Sequence, residues 1–305
     1  MNRIWIVGRS GQIGGALVRL LGEQALAPSL QQLDLSLPDR ISESLDRLEA
    51  DNGVPAAIIN AAAYTQVDRA ETNEATADTI NALAPGAIAT WCRRHEVPFV
   101  HYSTDYVYSG QGSAPWREDD PTGPLSAYGR SKLKGDRLVE SSGARYLILR
   151  TSWVYDAEGR NFVNTMLSLG RSRDTLRVVA DQVGTPSYAP HLARLTREIL
   201  HKAMRMEPFP AGVYHLAPEG ETSWHLFAEE IFSIARRRGL ELHVRRVDPI
   251  PTAEYPTPAR RPLNSRLDKT RLRTTFDVKL PTWQDGLNEC MEQIGIRSEG
   301  ARPLT

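Results

Sequence analysis

The chain has 305 residues, of which 41% are hydrophobic and 24% charged, and its acidic and basic residues balance at 37 each. This is the composition of a soluble protein with room for one large domain or two smaller ones that share a cleft. Because the net charge is zero, the composition gives no electrostatic footprint for nucleic acid or for an anionic membrane, and we expect neither partner.

The two cysteines, Cys92 and Cys290, lie far apart in the chain and form no CxxC pair. Their spacing suggests neither a zinc site nor a disulfide framework and predicts two buried thiols in a reducing compartment. The first residues lack the long apolar core of a signal peptide, and no apolar run approaches the roughly 18–20 residues of a membrane span. We therefore expect a cytoplasmic protein.

Strands and helices alternate through the first half of the sequence. A short apolar run at 3–7 meets the stretch GRSGQIGG and then a segment with helical spacing, which predicts strand, turn and helix. Further elements are predicted as buried strands at 56–64, 97–104 and 145–155 and as helices at 74–95 and around Tyr128. This alternation predicts an α/β fold, a Rossmann-type doubly wound parallel sheet with helices on both faces.

The pattern loosens after residue 155. The predicted elements there are helices at 161–171, near 190–205 and near 223–238, and strands near 176–180 and 213–217. The proline-rich stretch 249–262 excludes a regular helix or a central strand, and we interpret it as an ordered connection because periodic sequence resumes at 263–289. We predict a dinucleotide-binding domain at 1–155, to which segments near 176–215 can return, and a smaller C-terminal domain at 156–305 that mainly binds substrate.

Gly8, Gly11 and Gly14 form a G-x-x-G-x-x-G pattern directly after the first predicted strand. In a dinucleotide-binding fold the first glycine allows a tight turn, the second lets the backbone approach the pyrophosphate, and a later one lets the helix pack on the strand. The N-terminus of the following helix offers free N–H groups and a positive dipole end to the phosphates. The position of the triplet between a strand and a helix therefore predicts a dinucleotide site.

Asp34 is the one candidate for the acidic residue expected after the second strand, and it lies later in the chain than the motif usually places that residue. Its position suits a contact with the adenine edge or the ribose rather than with both ribose hydroxyls. Arg9, inside the glycine turn, can meet a 2′-phosphate, and a solvated surface charge is the alternative. We expect NADPH as the cofactor, with NADH possible.

Tyr128 and Lys132 lie four residues apart in SAYGRSKLKGD and would share one face of a helix. A free tyrosine has a pKa of about 10, and an adjacent ammonium favours the phenolate, so the pair can act as an acid/base device. Ser103 and Thr104 end the predicted strand at 97–104, at the edge where open α/β sheets bind their ligands. A hydroxyl there can hydrogen-bond to the substrate oxygen or to the tyrosine.

Together these stretches resemble the extended short-chain dehydrogenase/reductase superfamily, and within it the dTDP-4-dehydrorhamnose reductases. The resemblance extends over nearly the whole chain. Its most specific motifs are STDYVY, RTSWVY and TPARRPLNSRLD. It also includes GRSGQIG, NAAAYTQVDRAE, PLSAYGRSKLKGD, NFVNTML, VVADQVGTPS and GVYHLAPEGETSWHLFA.

The resemblance implies a role for each matching residue. Tyr128 would be the proton donor, Lys132 its partner and a ligand of the nicotinamide ribose, and Thr104 the group that tunes the tyrosine. Asp105 and Trp153 would contact the sugar substrate. The remaining cofactor contacts that it implies are made by Gly11, Gln12, Ile13, Asp34, Leu35, Ala63, Tyr64 and Thr65.

The implied reaction is the NAD(P)H-dependent reduction of the C4 ketone of dTDP-4-dehydro-6-deoxy-L-mannose to dTDP-L-rhamnose, without a catalytic metal. Arg260 and Arg261 are candidates for binding the diphosphate of this dTDP-ketosugar, with surface ion pairs as the alternative. Some family members hold magnesium between subunits, but the corresponding position of the first helix is Gly15 here, which argues against a metal-linked dimer. We expect a monomer or a homodimer.

Two other hypotheses stay open. The β subunit of methionine adenosyltransferase resembles the same family and binds NADP without reducing a sugar, but the intact Tyr128, Lys132 and Thr104 argue against such a regulatory role. A nucleotide-sugar epimerase or dehydratase would share the fold and the tyrosine. A dehydratase usually has an acidic pair next to the threonine, whereas here Asp105 is followed by Tyr106.

Overall fold

The computed structural model describes residues 2–300. Its strands are β1 (Ile4–Val7), β2 (Ala25–Leu26), β3 (Ala57–Asn60), β4 (Phe99–Thr104), β5 (Tyr146–Thr151), β6 (Val154–Tyr155), β7 (Thr175–Val179), β8 (Val183–Gly184), β9 (Ser187–Tyr188), β10 (Gly212–His215), β11 (Thr222–Ser223) and β12 (Arg246–Ile250). Its α-helices are α1 (Gln12–Leu21), α2 (Ile41–Asn52), α3 (Val67–Ala70), α4 (Glu74–Asp78), α5 (Ala84–Arg94), α6 (Ala127–Ser141), α7 (Phe162–Gly170), α8 (Ala189–Ala203), α9 (Trp224–Arg237), α10 (Thr270–Phe276) and α11 (Trp283–Gly300). A π-helical segment, Thr79–Leu83, joins α4 to α5. Among residues 2–300 no helix combines the length and the apolar character needed to cross a membrane.

Six strands form the large sheet in the order β2-β1-β3-β4-β5-β10, and all of them run parallel. The chain leaves β1 for β2 on one side of it and then returns to β3 on the other side. This reversal opens a crevice at the carboxyl ends of β1 and β3, where doubly wound sheets bind ligands. The predicted α/β class and the Rossmann-type parallel sheet are confirmed.

Helices cover both faces of this sheet because successive residues of a strand point to opposite faces. Ile6 of β1 packs with apolar residues of α1 and α8 on one face. Its neighbours Trp5 and Val7 pack with residues of α2, α5 and α6 on the other. Burial on both faces explains why these strands read as continuous apolar runs instead of alternating with polar residues.

The later part of the chain builds a second core. Apolar residues of α7, α9 and α11 pack with those of β7, which pairs with β12 in parallel. Two smaller pairs complete this part, β8 with β11 and β6 with β9. β10 and α8 instead join the large sheet, β10 as the edge strand beside β5 and α8 in the same apolar cluster as α1. The division of the chain at residue 155 stays a prediction.

Two predicted segments differ from the structure. The run 145–155 holds two short strands instead of one, because Trp153 between them adopts a left-handed backbone with a φ of +49°. The stretch 249–262 is not all connection, since Pro249 lies within β12, opposite Val178. Each strand of a two-stranded sheet has one free edge, and that edge accommodates a residue without an N–H group.

Candidate active site

The glycine turn after β1 is shaped by two close backbone approaches. Gly8 has a φ of +95°, and a Cβ atom there would lie 2.6 Å from the Ala62 nitrogen. A Cβ atom on Gly14 would lie 2.1 Å from the Gly8 oxygen. At Gly11 the nearest atom would be 3.4 Å away, so the fold itself tolerates a larger residue at that position. Gly8 and Gly14 are therefore required by the packing of the turn, and Gly11 leaves space above it.

The N-terminus of α1 fits a dinucleotide pyrophosphate. Gly11 is the N-cap residue, so no side chain caps the first N–H groups of the helix, and the first turn contains no acidic residue. The buried Gln12 Oε1 atom has no hydrogen-bond partner among the described residues. The uncapped helix end and the space above Gly11 are what an anion-binding turn requires.

The predicted cofactor segment Ala63, Tyr64 and Thr65 follows β3 at the same edge of the sheet. Asn81, in the π-helical segment, clamps it: Asn81 Oδ1 accepts from the Tyr64 N–H at 2.7 Å, and Asn81 Nδ2 donates to the Tyr64 oxygen at 3.2 Å. Asn81 is only 1% exposed. Sequence reasoning missed this residue, although a buried asparagine within an apolar helical segment is a usable signal.

The three residues predicted for the outer part of the cofactor site have different surroundings. Asp34 lies well beyond the end of β2, and its carboxylate accepts from the Ser36 N–H at 2.8 Å. The Leu35 side chain is buried in the core under α2. Arg9 is exposed and forms no ion pair with the described residues. Its guanidinium thus remains available at the turn.

Tyr128 lies in the first turn of α6. Ser126 caps this helix by accepting from the Gly129 N–H at 3.2 Å. A Cβ atom on Gly129 would lie 2.3 Å from the Tyr106 oxygen, so only glycine lets α6 approach the turn after β4 this closely. The Tyr106 ring meets the Tyr128 ring edge-on, with centroids 5.5 Å apart. Sequence reasoning did not assign Tyr106 to the site.

The expected effect of Lys132 on Tyr128 does not appear in this structure. Burial raises the pKa of Tyr128 above its ordinary value, and the neighbouring Thr104 hydroxyl acts in the opposite direction. The Lys132 ammonium is directed elsewhere: Nζ donates to the Tyr102 oxygen at 2.6 Å and lies 3.2 Å from His101 Nε2. Lys132 is 1% exposed, and this burial lowers its pKa to about 8. The prediction that the lysine lowers the pKa of the phenol is therefore wrong for this arrangement.

Thr104 and Asp105 lie where β4 ends, beside Tyr128. The Thr104 hydroxyl donates to Asp105 Oδ1 at 3.1 Å and accepts from the Tyr106 N–H at 3.2 Å. Asp105 is 2% exposed, and burial raises its pKa to about 6. Its other carboxylate oxygen, Oδ2, is buried, and the Ser265 hydroxyl lies close enough to the carboxylate to oppose the effect of burial on its pKa. A polar group of a ligand would satisfy that oxygen.

Trp153 occupies the strained position between β5 and β6. A left-handed backbone is uncommon for a residue other than glycine and is often found at functional sites. The Trp153 ring stacks on Trp224 with centroids 3.7 Å apart and 13° between the ring planes. A Cβ atom on Gly184 would lie 2.9 Å from the Trp153 ring, so the indole also lies directly against this glycine. Sequence reasoning missed Trp224, which adjoins the predicted substrate tryptophan.

A cavity of about 770 Å³ adjoins these residues. Its lining includes Asp68, Tyr106, Phe162, Trp224, Tyr255 and Arg261. The two arginines that are candidates for binding the diphosphate have different surroundings. Arg261 donates to Asp68 at 2.7 Å in the cavity wall, whereas Arg260 is exposed and is not part of the lining.

Comparisons with known proteins agree over nearly the full length of the chain. The model of the family described as RmlD substrate binding domain matches residues 1–296. The dTDP-4-dehydrorhamnose reductase of Burkholderia thailandensis is 42% identical over 299 residues, which cover 96% of this chain and 99% of that protein. The enzyme of the same name from Escherichia coli K12 is 39% identical over 297 residues, with 95% and 97% covered. Among solved structures, dTDP-4-dehydrorhamnose reductase from Bacillus anthracis in complex with NADP has a TM-score of 0.86 at 32% identity and covers 96% of this chain and 99% of that one.

Proposed function

The chain belongs to the dTDP-4-dehydrorhamnose reductase (RmlD) family, and from this premise we propose which of its residues carry out the reduction. It is an NAD(P)H-dependent oxidoreductase that catalyses the last step of dTDP-rhamnose synthesis. The ketone of the dTDP-sugar is reduced to a hydroxyl at C4. What remains to be argued is the role of each side chain.

The glycine turn and the segment after β3 hold the coenzyme in this proposal. The uncapped start of α1 receives the pyrophosphate above Gly11. We assign NADPH as the preferred coenzyme because the unpaired Arg9 at this turn can bind a 2′-phosphate. The related Bacillus anthracis enzyme, solved with NADP, supports this assignment.

Tyr128 supplies the proton. When bound, the reduced nicotinamide provides the hydride that the ketone carbon accepts. Tyr128 donates its hydroxyl proton to the ketone oxygen as negative charge develops there. Burial raises the pKa of Tyr128, so the hydroxyl keeps its proton until that moment. Lys132, whose Nζ donates to the Tyr102 oxygen of β4, binds the nicotinamide ribose in this proposal.

Thr104 and Asp105 orient the substrate oxygen and the tyrosine. The two hydrogen bonds of the Thr104 hydroxyl fix its direction beside Tyr128. The buried Asp105 Oδ2, near the Ser265 hydroxyl, accepts from a hydroxyl group of the sugar in this proposal. Trp153 borders the sugar, and the nucleotide part extends into the cavity that Trp224 and Arg261 line. Fixing the nucleotide there holds the ketone in reach of the reacting groups.

One observation carries this proposal: Thr104, Tyr128 and Lys132 converge at the carboxyl edge of β4, and the glycine turn lies at the same edge of the sheet. The test supplies the purified protein with the dTDP-ketosugar and either NADPH or NADH. We expect stoichiometric oxidation of the coenzyme, faster with NADPH, and a product with the stereochemistry of L-rhamnose. Coenzyme binding without oxidation would indicate a regulatory protein, and a new sugar without net oxidation would indicate an epimerase.

A further inference from the structure

A chain of buried hydrogen bonds lies behind the catalytic lysine. Lys132 Nζ lies 3.2 Å from His101 Nε2, on one side of the imidazole. On the other side, His101 Nδ1 lies 3.2 Å from Asn60 Nδ2. All three side chains are at most 1% exposed, so water does not compete for these contacts.

Ala62 sets the donor-to-acceptor direction of these hydrogen bonds. Its backbone N–H can only donate, and Asn60 Oδ1 accepts from it at 3.1 Å. The Asn60 amide therefore turns its NH₂ group toward His101, and His101 Nδ1 accepts. A neutral imidazole carries one proton, which must then lie on Nε2 and point at Lys132. This arrangement suits a neutral amine, because an ammonium group has no lone pair with which to accept.

A charged Lys132 requires the reverse direction. Its ammonium donates to His101 Nε2, so the imidazole proton moves to Nδ1 and needs an acceptor. Asn60 can provide that acceptor only by turning its oxygen away from Ala62. The Ala62 N–H then faces the amide NH₂ group and loses its partner. Protonation of the lysine thus costs one hydrogen bond at the residue that precedes the cofactor segment.

We propose that His101 sets the protonation state of Lys132 through this relay, which ends on the backbone N–H group of Ala62, directly before the coenzyme-binding segment. His101 is a positioning residue, since it acts through Lys132. The inference rests on the role proposed above for that lysine. It also predicts a coupling: a coenzyme that shifts the segment at Ala62 changes the balance between the charged and the neutral amine, and the reverse holds equally.

The other charged groups near Lys132 do not replace the relay. Asp136 and Tyr128 lie on the same helix, and Arg150 of β5 forms an ion pair with Asp136 at 3.1 Å. Asp136 favours the charged lysine, whereas burial disfavours it and has the larger effect on its pKa. On β4 the titratable group that faces the lysine is His101. The imidazole is therefore the contact whose hydrogen-bond direction can change with the charge.

The test titrates the Lys132 amine directly, by NMR of protein labelled at the lysine ε-carbon and studied without coenzyme. The chain has five lysines, so the signal is assigned by its loss in Lys132→Met. Asn60→Asp provides a carboxylate that accepts from both Ala62 and a protonated His101 Nδ1. We expect the titration midpoint of Lys132 to rise by about one pH unit or more. In a His101→Phe background the same substitution should leave the midpoint roughly unchanged.

An equal rise with and without the imidazole would mean that the new charge acts through space, and it would overturn the proposal. No rise in Asn60→Asp would overturn it as well. If these variants fail to fold, His101→Gln decides, because its amide can present an oxygen to the ammonium and should also raise the midpoint; an unchanged midpoint would refute the relay. His225→Gln, at a buried histidine that bonds to the Val247 oxygen, is the matched control and should match the wild type. Because the readout is the amine itself, this result is independent of whether the proposed reduction is observed.

Discussion

At Tyr128, burial and the direction of the reaction require the same protonation state. A reductase needs a phenol that still carries its proton when the ketone arrives, and burial raises the pKa of this phenol. The cost appears after proton transfer, when a phenolate must exist in the same buried place. The Thr104 hydroxyl, which acts to lower the pKa of Tyr128, offsets part of that cost. This hydroxyl therefore matters more for the product state than for the resting protein.

Removal of the phenol oxygen tests the acid role. In Tyr128→Phe we expect kcat to fall by roughly 10²–10⁴-fold, the usual contribution of a general acid, while the Kd for NADPH changes little. Steady-state kinetics and coenzyme fluorescence measure the two quantities. Tyr146→Phe, at the far end of β5, is the matched control and should behave as the wild type. A Tyr128→Phe protein with normal turnover would refute the assignment.

The rate should also depend on the charge of Lys132. Burial lowers the pKa of this lysine to about 8, so the ammonium predominates below that pH and the neutral amine above it. Since the proposed mechanism uses the ammonium, we expect kcat/KM to fall as the pH rises through about 8. The measurement is the pH profile of kcat/KM, with the exposed Lys134→Met as a control that leaves the fall in place. A profile that stays flat across this region would contradict the role of the charge.

At the same scale, the sequence predicts the presence of the pair better than its contacts. The spacing of Tyr128 and Lys132 correctly places both on one helix. It cannot show that the lysine bonds to the Tyr102 oxygen and to His101, because these groups come from β4 and meet α6 only in the folded chain. The direction of the tyrosine pKa shift fails for the same reason, since burial is a property of the tertiary structure.

Among the local elements, the glycine turn separates two requirements that the sequence pattern combines. Gly14 is needed by the fold, because its missing Cβ makes room for the Gly8 carbonyl group. Gly11 has an ordinary φ of −80° and no such close neighbour, so its requirement comes from the ligand. The three glycines look equivalent in the sequence, but the packing of the turn requires Gly8 and Gly14, whereas the proposed ligand requires Gly11.

A pair of substitutions distinguishes these requirements. Gly14→Ala forces atoms together in the turn and should cost about 1–3 kcal/mol of stability. Gly11→Ala should leave the melting temperature nearly unchanged and weaken NADPH binding severalfold, because its methyl group enters the proposed pyrophosphate position. Thermal unfolding and coenzyme titration give the comparison. Equal loss of stability in the two variants would show that the fold, rather than the ligand, requires Gly11.

The strand pattern predicts the sheet well and its interruptions poorly. β1, β3 and β4 lie within the predicted runs because burial on both faces requires continuous apolar sequence. The break at Trp153 has no sequence signal, since tryptophan seldom adopts a positive φ and is held there by its contacts with Trp224 and Gly184. The substrate side of the site is therefore harder to derive than the coenzyme side.

At the scale of the molecule, an ion pair joins α3, which follows the coenzyme segment, to the proline-rich stretch. Asp68 of α3 accepts from Arg261 at 2.7 Å and from the Ala259 N–H at 3.2 Å, over a sequence separation of 193 residues for the arginine. Asp68 follows the cofactor segment closely in the sequence, and both charged side chains line the large cavity. The pair therefore fixes one wall of the substrate cavity relative to the coenzyme edge of the sheet.

Neutralisation of Asp68 should affect binding more than stability. Partly exposed ion pairs contribute only about 0–1 kcal/mol, so we expect Asp68→Asn to keep its melting temperature. We expect the KM for the dTDP-sugar to rise severalfold while the KM for NADPH changes less, because Arg261 loses its anchor. Arg130→Gln, which breaks an exposed pair with Glu74, serves as the control. A selective loss of NADPH affinity would show that Asp68 acts on the coenzyme instead.

The stacked indoles of Trp153 and Trp224 have a spectroscopic consequence. Two such chromophores at 3.7 Å couple their electronic transitions and should give an exciton band in circular dichroism. Because Trp224 lines the substrate cavity, a sugar nucleotide that enters should change the separation or tilt of the two rings and hence this band. The wild-type molecule therefore contains its own optical reporter of substrate binding, and no label has to be attached.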